Sequence, residues 1–356
     1  MDGTAIVVCD DLFATANAKT AHGLVRGSER YRVLGIVDGP TAGRDAGEAL
    51  DGVRRGIPAF ATIADALRAL PEKPDFCVVG VATSGGRLTP GLRALLSEAI
   101  ASGMSVVNGL HEFLSDDPGL SEAASRHGVT IRDVRKTPPR SELHFWSGDI
   151  LTVRAPRIAV IGTDCALGKR TTARFLLEAC RAVGIATELV YTGQTGWMQG
   201  EPFGFVLDSV PNDFVSGELE HAVVSCWNER HPDLILLEGQ SALRNPSGPC
   251  GSEFLVSARA EGVVLQHAPG RTLYESAEEF GLRIPPVADE IDLIRRYGAR
   301  TLAVTLNGEG MSPEALRAEQ QRLRWGLGIP VIRPLEEGVG ALIPVVREFL
   351  ASQARA

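Results

Sequence analysis

Apolar residues fall along this chain in short dense runs, separated by longer stretches with helical spacing. Residues 5–8, 32–37, 76–81 and 105–108 are rich in Val and Ile and read as strands buried on both faces. Residues 129–134 form a further strand candidate. Segments between them, such as 92–102, carry Ala and Leu at helical intervals. A β-α-β alternation with apolar strands implies a parallel sheet with helices on both faces, so the first block, residues 1–135, is expected to be a Rossmann-like domain. Residues 136–156 break the rhythm: KTPPRSELHFWSGDILTVRAP contains Pro138, Pro139 and Pro156 and no helical period. This stretch reads as a linker, with a strand expected at 150–153 and with Phe145 and Trp146 packed against a neighbour. A second α/β block covers residues 157–356. Its expected strands are 158–161, 188–191, 234–237, 263–266, 301–306 and 331–332, and its expected helices 169–183, 212–229, 313–325 and 338–353.

Composition narrows the classes. The chain has 356 residues with 36 Lys plus Arg against 44 Asp plus Glu, a net charge of −8, which argues against a broad nucleic-acid surface. Its 44% apolar content supplies ordinary cores, and no apolar run approaches the length of a transmembrane helix. The opening MDGTAIVVCDD has an acidic flank and a short apolar run, unlike a secretory signal. Cys9, Cys77, Cys165, Cys180, Cys226 and Cys250 form no C-x-x-C pair, as expected of a reduced cytoplasmic enzyme rather than a disulfide or zinc module. For such an enzyme a homo-oligomer is the default expectation.

The sharpest local signal is RIAVIGTDCALGKRTT, residues 157–172: a strand, a glycine-containing turn, Lys169, then a helix. Successive backbone N–H groups of such a turn, the helix N-terminus and the Lys169 charge together cradle a phosphate. Gly162, Thr163, Asp164, Cys165, Gly168, Lys169, Arg170, Thr171 and Thr172 are the expected ligand-binding residues, and the second domain is therefore expected to be P-loop NTPase-like. Five residues separate Gly162 from Gly168, a spacing similar to that of the dethiobiotin-synthetase-like branch of P-loop proteins, whose loop also opens Gly-Thr-Asp. Arg170 stands where ordinary P-loop enzymes carry the Ser or Thr that ligates Mg²⁺. Thr171 and Thr172 follow, but each helical step turns by about 100°, so neither hydroxyl takes that place. Arg170 adds a second cation suited to phosphate instead. Cys165 lies inside the loop, either as an acidified thiol or as a small side chain tolerated in a crowded turn.

Further polar stretches follow other strands: GQTGWM at 193–198, EGQ at 238–240 and HAPGR at 267–271, with DSVPNDFVSGELE at 208–220 nearby in sequence. In open α/β sheets ligands bind beyond the carboxyl ends of strands, so these segments are expected to converge with the phosphate loop. Asp213, Gly217 and Glu220 share one helix face, either flanking a ligand or as solvated first-turn acids. Glu238 ends a buried apolar strand, where a carboxylate is costly unless paired or functional. His267 is open between a functional and a structural role. In the first block, Asp38 ends the second strand, where a nucleotide-binding domain places the acid that reads a ribose. The glycine fingerprint expected after the first strand is absent, however; the sequence there is CDDLFATANAKT. Gly85 and Gly86 mark either a substrate loop or a plain turn.

GTDCALGKRTT, GQTG, DSVPNDFVSGELE and EGQ occur together and in this order, behind a domain with VDG, GLHEFLSDDP and DVR. The combination resembles the large bacterial and archaeal family catalogued as a domain of unknown function that includes D-glutamate N-acetyltransferases, and the likeness runs from about residue 20 to 266. It implies acetyl-CoA as co-substrate, D-glutamate or a similar amino acid as acceptor, and as pathway partner an enolase-superfamily racemase acting on the N-acetyl product. Coenzyme A carries a pyrophosphate and a 3′-phosphate, both suited to the loop, and acetyl transfer needs no Mg²⁺. An ammonium must lose a proton before attack. Glu238 is the first choice of base and Asp213 the second, with Gln194, Gln240 or backbone amides stabilising the oxyanion. Arg244 and Arg271 are candidates for the acceptor's carboxylates. Two other readings stay open: a P-loop ligase or kinase using Mg-ATP, with Asp164 or Glu238 at the metal, and a nucleotide- or CoA-sensing protein without turnover.

Overall fold

The computed structural model describes residues 1–275 and 277–354, and they divide into two compact units. The first comprises Met1–Pro138 with Gln194–Pro202, the second Pro139–Gly193 with Phe203–Ala356. Each is an α/β unit built on one parallel sheet. No described helix is long and apolar enough to cross a membrane.

Among the described residues, the sheet of the first unit has six strands: β1 (Gly3–Val8), β2 (Tyr31–Val37), β3 (Ala59–Phe60), β4 (Phe76–Val79), β5 (Ser105–Asn108) and β6 (Ile131–Asp133). Their order is β3-β2-β1-β4-β5-β6, the doubly wound order of dinucleotide-binding domains. Ala5, Ile6, Val7 and Val8 are fully buried, as an unbroken apolar run requires. β4 stops two residues before its expected end. At Gly80 a Cβ would come within 2.5 Å of Val7 Cγ1 and 2.8 Å of Ala21 Cβ, so the turn into the next segment begins at a residue without one.

Gln194–Gln199, a stretch for which no element is expected from the sequence, forms a helix and packs in the first unit. Gln199 Nε2 donates to the carbonyls of Gly23 and Gly27 at 2.8 and 2.9 Å. Gly23 O, which also accepts from Gly27 N, lies in the last turn of the helix Lys19–Arg26 and Gly27 is its C-cap residue, so the amide adds a side-chain donor at this helix end. Arg30 donates to Trp197 O, and its guanidinium lies 4.0 Å over the indole ring, a cation–π contact.

The second unit carries, among the described residues, seven strands: β7 (Arg157–Gly162), β8 (Thr187–Tyr191), β9 (Phe203–Gly204), β10 (Leu234–Glu238), β11 (Gly262–His267), β12 (Arg300–Leu306) and β13 (Val331–Ile332). They are ordered β13-β12-β11-β7-β10-β8-β9, so β7 is central and β10 and β11 are its neighbours. The expected helix at 338–353 begins later: Gly338, at φ +70°, closes the short helix Pro334–Glu337, Gly340–Leu342 is a 3-10 turn, and the regular helix is Ile343–Gln353. A helix at Val287–Arg296 was not expected; it buries Val287, Glu290 and Ile294. The acid in that stripe hides its period.

The strand expected at 150–153 is instead a 3-10 helix, Asp149–Thr152. Its cause is a buried carboxylate. Glu220 accepts from Ser147 N, Ser147 Oγ, Gly148 N and Ile150 N at 2.5 to 3.1 Å, which curls the backbone around one anion. Gly217, one turn earlier on the helix Asn212–Arg230, has no room for a side chain, because a Cβ would meet His144 O at 2.0 Å. Phe145 packs on Phe214 with ring centroids 4.4 Å apart and Trp146 donates to Ser257 O, the packing expected of both aromatics. Gly217 and Glu220 thus hold residues 144–150 onto this helix. Glu220→Ala leaves three backbone donors without their acceptor and is expected to cost about 3 kcal/mol, read as a lower thermal midpoint of the second unit.

Candidate functional site

The site is assembled at the carboxyl ends of β7, β10 and β11. β7 ends at Gly162, the chain turns through 163–168, and the helix Lys169–Ala182 follows. Gly168 lies at φ +94° and Ala166 at φ +50°, left-handed conformations that turn the loop back on itself; the alanine bears the strain of its Cβ. At Gly162 a Cβ would stand 3.1 Å from Lys169 Cδ, so the lysine stem passes over a bare Cα. Lys169 Nζ donates to the carbonyls of Asp164 and Ser241 at 2.7 and 2.9 Å, which folds it across the loop.

Asp164 is fully buried and organises that loop from within. Its Oδ1 accepts from Cys165 N and Asn245 Nδ2 at 2.7 and 2.9 Å. Its Oδ2 accepts from Arg271 Nη1 and Glu275 N at 3.0 and 2.9 Å. Arg271 also donates to Cys165 O and to Glu309. Thr163 pairs with His267 Nδ1 at 2.9 Å, and burial lowers the His267 pKa to about 4, so that imidazole is neutral. Thr172 donates to Gln266 Oε1 at 2.7 Å, an oxygen shared with Thr305.

Beside the loop, Glu238 ends β10 with little exposure. Thr192 N donates to its Oε2 at 3.2 Å, and Thr192 Oγ1 donates to its carbonyl at 2.5 Å. Gln240 Nε2 reaches the same Thr192 hydroxyl at 3.1 Å. Arg170 Nε lies 3.9 Å from Glu238 Oε1. Gly193 completes the group: a Cβ there would stand 3.1 Å from Gln240 Nε2 and 3.5 Å from Glu238 Oε1, so its absence keeps space in front of both. A carboxylate, an amide, a hydroxyl and a guanidinium therefore converge next to the phosphate loop.

The other expected residues are distributed differently. Asp213 is exposed in the first turn of its helix, where an acid suits the dipole. Gln194 belongs to the first unit, where its side chain lies against Gly109. Arg244 pairs with buried Glu290 at 2.6 Å, and Arg271 serves the loop, so both candidates for an acceptor's carboxylates are already engaged. In the first unit, Asp38 accepts from Phe13 N, Thr41 N and Thr41 Oγ1, which ties up both of its oxygens in closing the local backbone. That is the geometry of a structural acid and not of a ribose reader. Thr192, Ser241 and Asn245 escaped sequence reading. Nothing local marks them; each gains its role from the segment it is folded against.

The site has counterparts. Residues 144–343 match the family model described as the domain of unknown function (DUF1611_C) P-loop domain, and residues 40–137 match the DUF1611_N Rossmann-like domain. The chain is 28% identical over 274 residues to a D-glutamate N-acetyltransferase of Tritonibacter scottomollicae, covering 75% of this chain and 79% of that one. It is likewise 28% identical over 273 residues to a D-glutamate N-acetyltransferase of a Pseudoalteromonas species, with the same shares covered. The crystal structure of a DUF1611 family protein from Anabaena variabilis superposes with a TM-score of 0.86 at 27% identity, over 97% of this chain and 99% of that one.

Proposed function

This chain belongs to the DUF1611 family, and from that premise we propose that it transfers the acetyl group of acetyl-CoA to the amine of D-glutamate or a similar amino acid. One observation carries the reading: a buried carboxylate, Glu238, stands at the mouth of a phosphate loop, in a chain whose similar relatives are named for this transfer. The loop amides of 162–172 and Lys169 hold the phosphates of coenzyme A. Glu238 takes a proton from the acceptor ammonium, with Asp213 the second candidate. The amine attacks the thioester carbonyl; a C–N bond forms, the C–S bond breaks, and the leaving thiolate takes up the second proton that the nitrogen sheds on becoming an amide, so coenzyme A departs as the thiol. Gln240 donates to the oxyanion that forms between these events.

Release of the coenzyme A thiol tests the reading, with acetyl-CoA and D-glutamate in one arm and L-glutamate, EDTA and Mg-ATP in parallel arms. Release that requires D-glutamate and persists in EDTA is the expected result. ADP formed only with Mg-ATP, and no thiol, replaces the proposal with the ligase or kinase reading. Lys169→Ala removes a charge-assisted contact of about 1.5–3 kcal/mol. The KM for acetyl-CoA is then expected to rise about 10- to 150-fold with a smaller change in kcat. An unchanged KM removes the loop from coenzyme A binding.

A further inference from the structure

P-loop proteins hold Mg²⁺ between the hydroxyl that follows the loop lysine and an acid at the end of a neighbouring strand. The acid has a counterpart here, because Glu238 ends β10 and β10 pairs with β7. The hydroxyl does not. Arg170 follows Lys169, Thr171 is a further 100° or so round the helix, and Thr172 gives its hydroxyl to Gln266. The loop's own acid, Asp164, is fully buried beneath four donors. The residues present do not fit the divalent cation that this fold class ordinarily carries.

We infer that the Arg170 guanidinium takes the place of that cation, making this a metal-independent site for a pyrophosphate or similar polyphosphate group. Three observations meet at Arg170. It occupies the hydroxyl's position in the loop, its Nε lies 3.9 Å from the strand-end carboxylate, and its side chain is only 14% exposed. A guanidinium offers five donors in a planar fork, so one that faces Glu238 can also donate to phosphate oxygens. Placing it beside Lys169 puts two fixed positive charges at the loop, where a metal-dependent site has one plus the ion. The inference rests on the phosphate-loop part of the proposed function and not on acetyl transfer.

Inorganic pyrophosphate is the probe, titrated calorimetrically into the full chain with EDTA or with excess MgCl₂. The wild-type protein is expected to bind it in EDTA, and Mg²⁺ is expected to leave the affinity unchanged or lower it, since the metal sequesters free pyrophosphate. Arg170→Thr restores a hydroxyl beside Glu238. It is expected to lose 10- to 100-fold in EDTA and to recover at least 5-fold in Mg²⁺, whereas Arg170→Ala loses as much without recovery and Arg170→Lys stays within about 10-fold of wild type. Tightening of the wild type 10-fold or more by Mg²⁺ overturns the inference, as does wild-type affinity in Arg170→Ala or no pyrophosphate binding in either arm. Should the variants fail to fold, the wild-type comparison alone decides. Metal-free pyrophosphate binding without acetyl transfer leaves this inference standing and removes the transfer; transfer with Mg²⁺-dependent pyrophosphate binding does the reverse.

Discussion

Glu238→Gln is expected to lower kcat by about 10²- to 10⁴-fold, the contribution of a positioned general base. The substitution keeps the size of the side chain. Its amide oxygen still accepts from Thr192 N, and Thr192 Oγ1 still donates to the main-chain carbonyl, so β8 and β10 stay joined. What disappears is a group able to take a proton from an ammonium. The KM for acetyl-CoA is therefore expected to change little, while the residual rate climbs with pH as the acceptor amine deprotonates by itself. That climb separates loss of a base from loss of structure, because a misfolded variant gains nothing from high pH. Full turnover in Glu238→Gln passes the role to Asp213, which lies exposed in the first turn of its helix.

Much of the fold was legible because its strands are buried on both faces. β1, β7, β10 and β11 carry their burial in their composition, and their carboxyl ends mark where polar residues become informative. Glu238 stood out for that reason: a carboxylate closing a run of Leu and Ile has to be bonded or used. Asp164 stood out too, but its role did not follow from the motif. Sequence places it in a ligand-binding loop, while its four donors turn it inward. Such inversions are invisible in one dimension, because Asn245, Arg271 and Glu275 lie 81 to 111 residues away. Glu220 illustrates the same limit: shared helical spacing with Asp213 suggested a common face for a ligand, yet its carboxylate caps the backbone of 147–150. Gln194 shows a third limit, since the sequence around it does not say which of the two units its segment belongs to.

The second large effect is expected at Asp164. Asp164→Asn conserves volume and changes one oxygen into an NH₂ group. In one amide orientation that NH₂ faces Arg271 Nη1 and Glu275 N; in the other it faces Cys165 N and Asn245 Nδ2. Either way two buried donors confront a third and lose their acceptor. Bonds of this charge-assisted kind are worth about 1.5–3 kcal/mol each, so a total loss of about 3–6 kcal/mol is expected. For a unit of this size each kcal/mol moves the midpoint by about 2–4 °C, placing the second unit's transition roughly 6–24 °C lower. The functional effect separates from the stability effect. Cys165 N and the Arg271 contact to Cys165 O set the direction of the loop's first amides, so the loosened loop binds phosphates less well, whereas Glu238 is held by Thr192 on the other side of β10. Below the lowered midpoint, the KM for acetyl-CoA is expected to rise 10-fold or more, with kcat at saturation reduced far less. A variant that melts early but keeps its KM would make Asp164 a stabilising residue alone and would detach the loop's internal order from ligand binding.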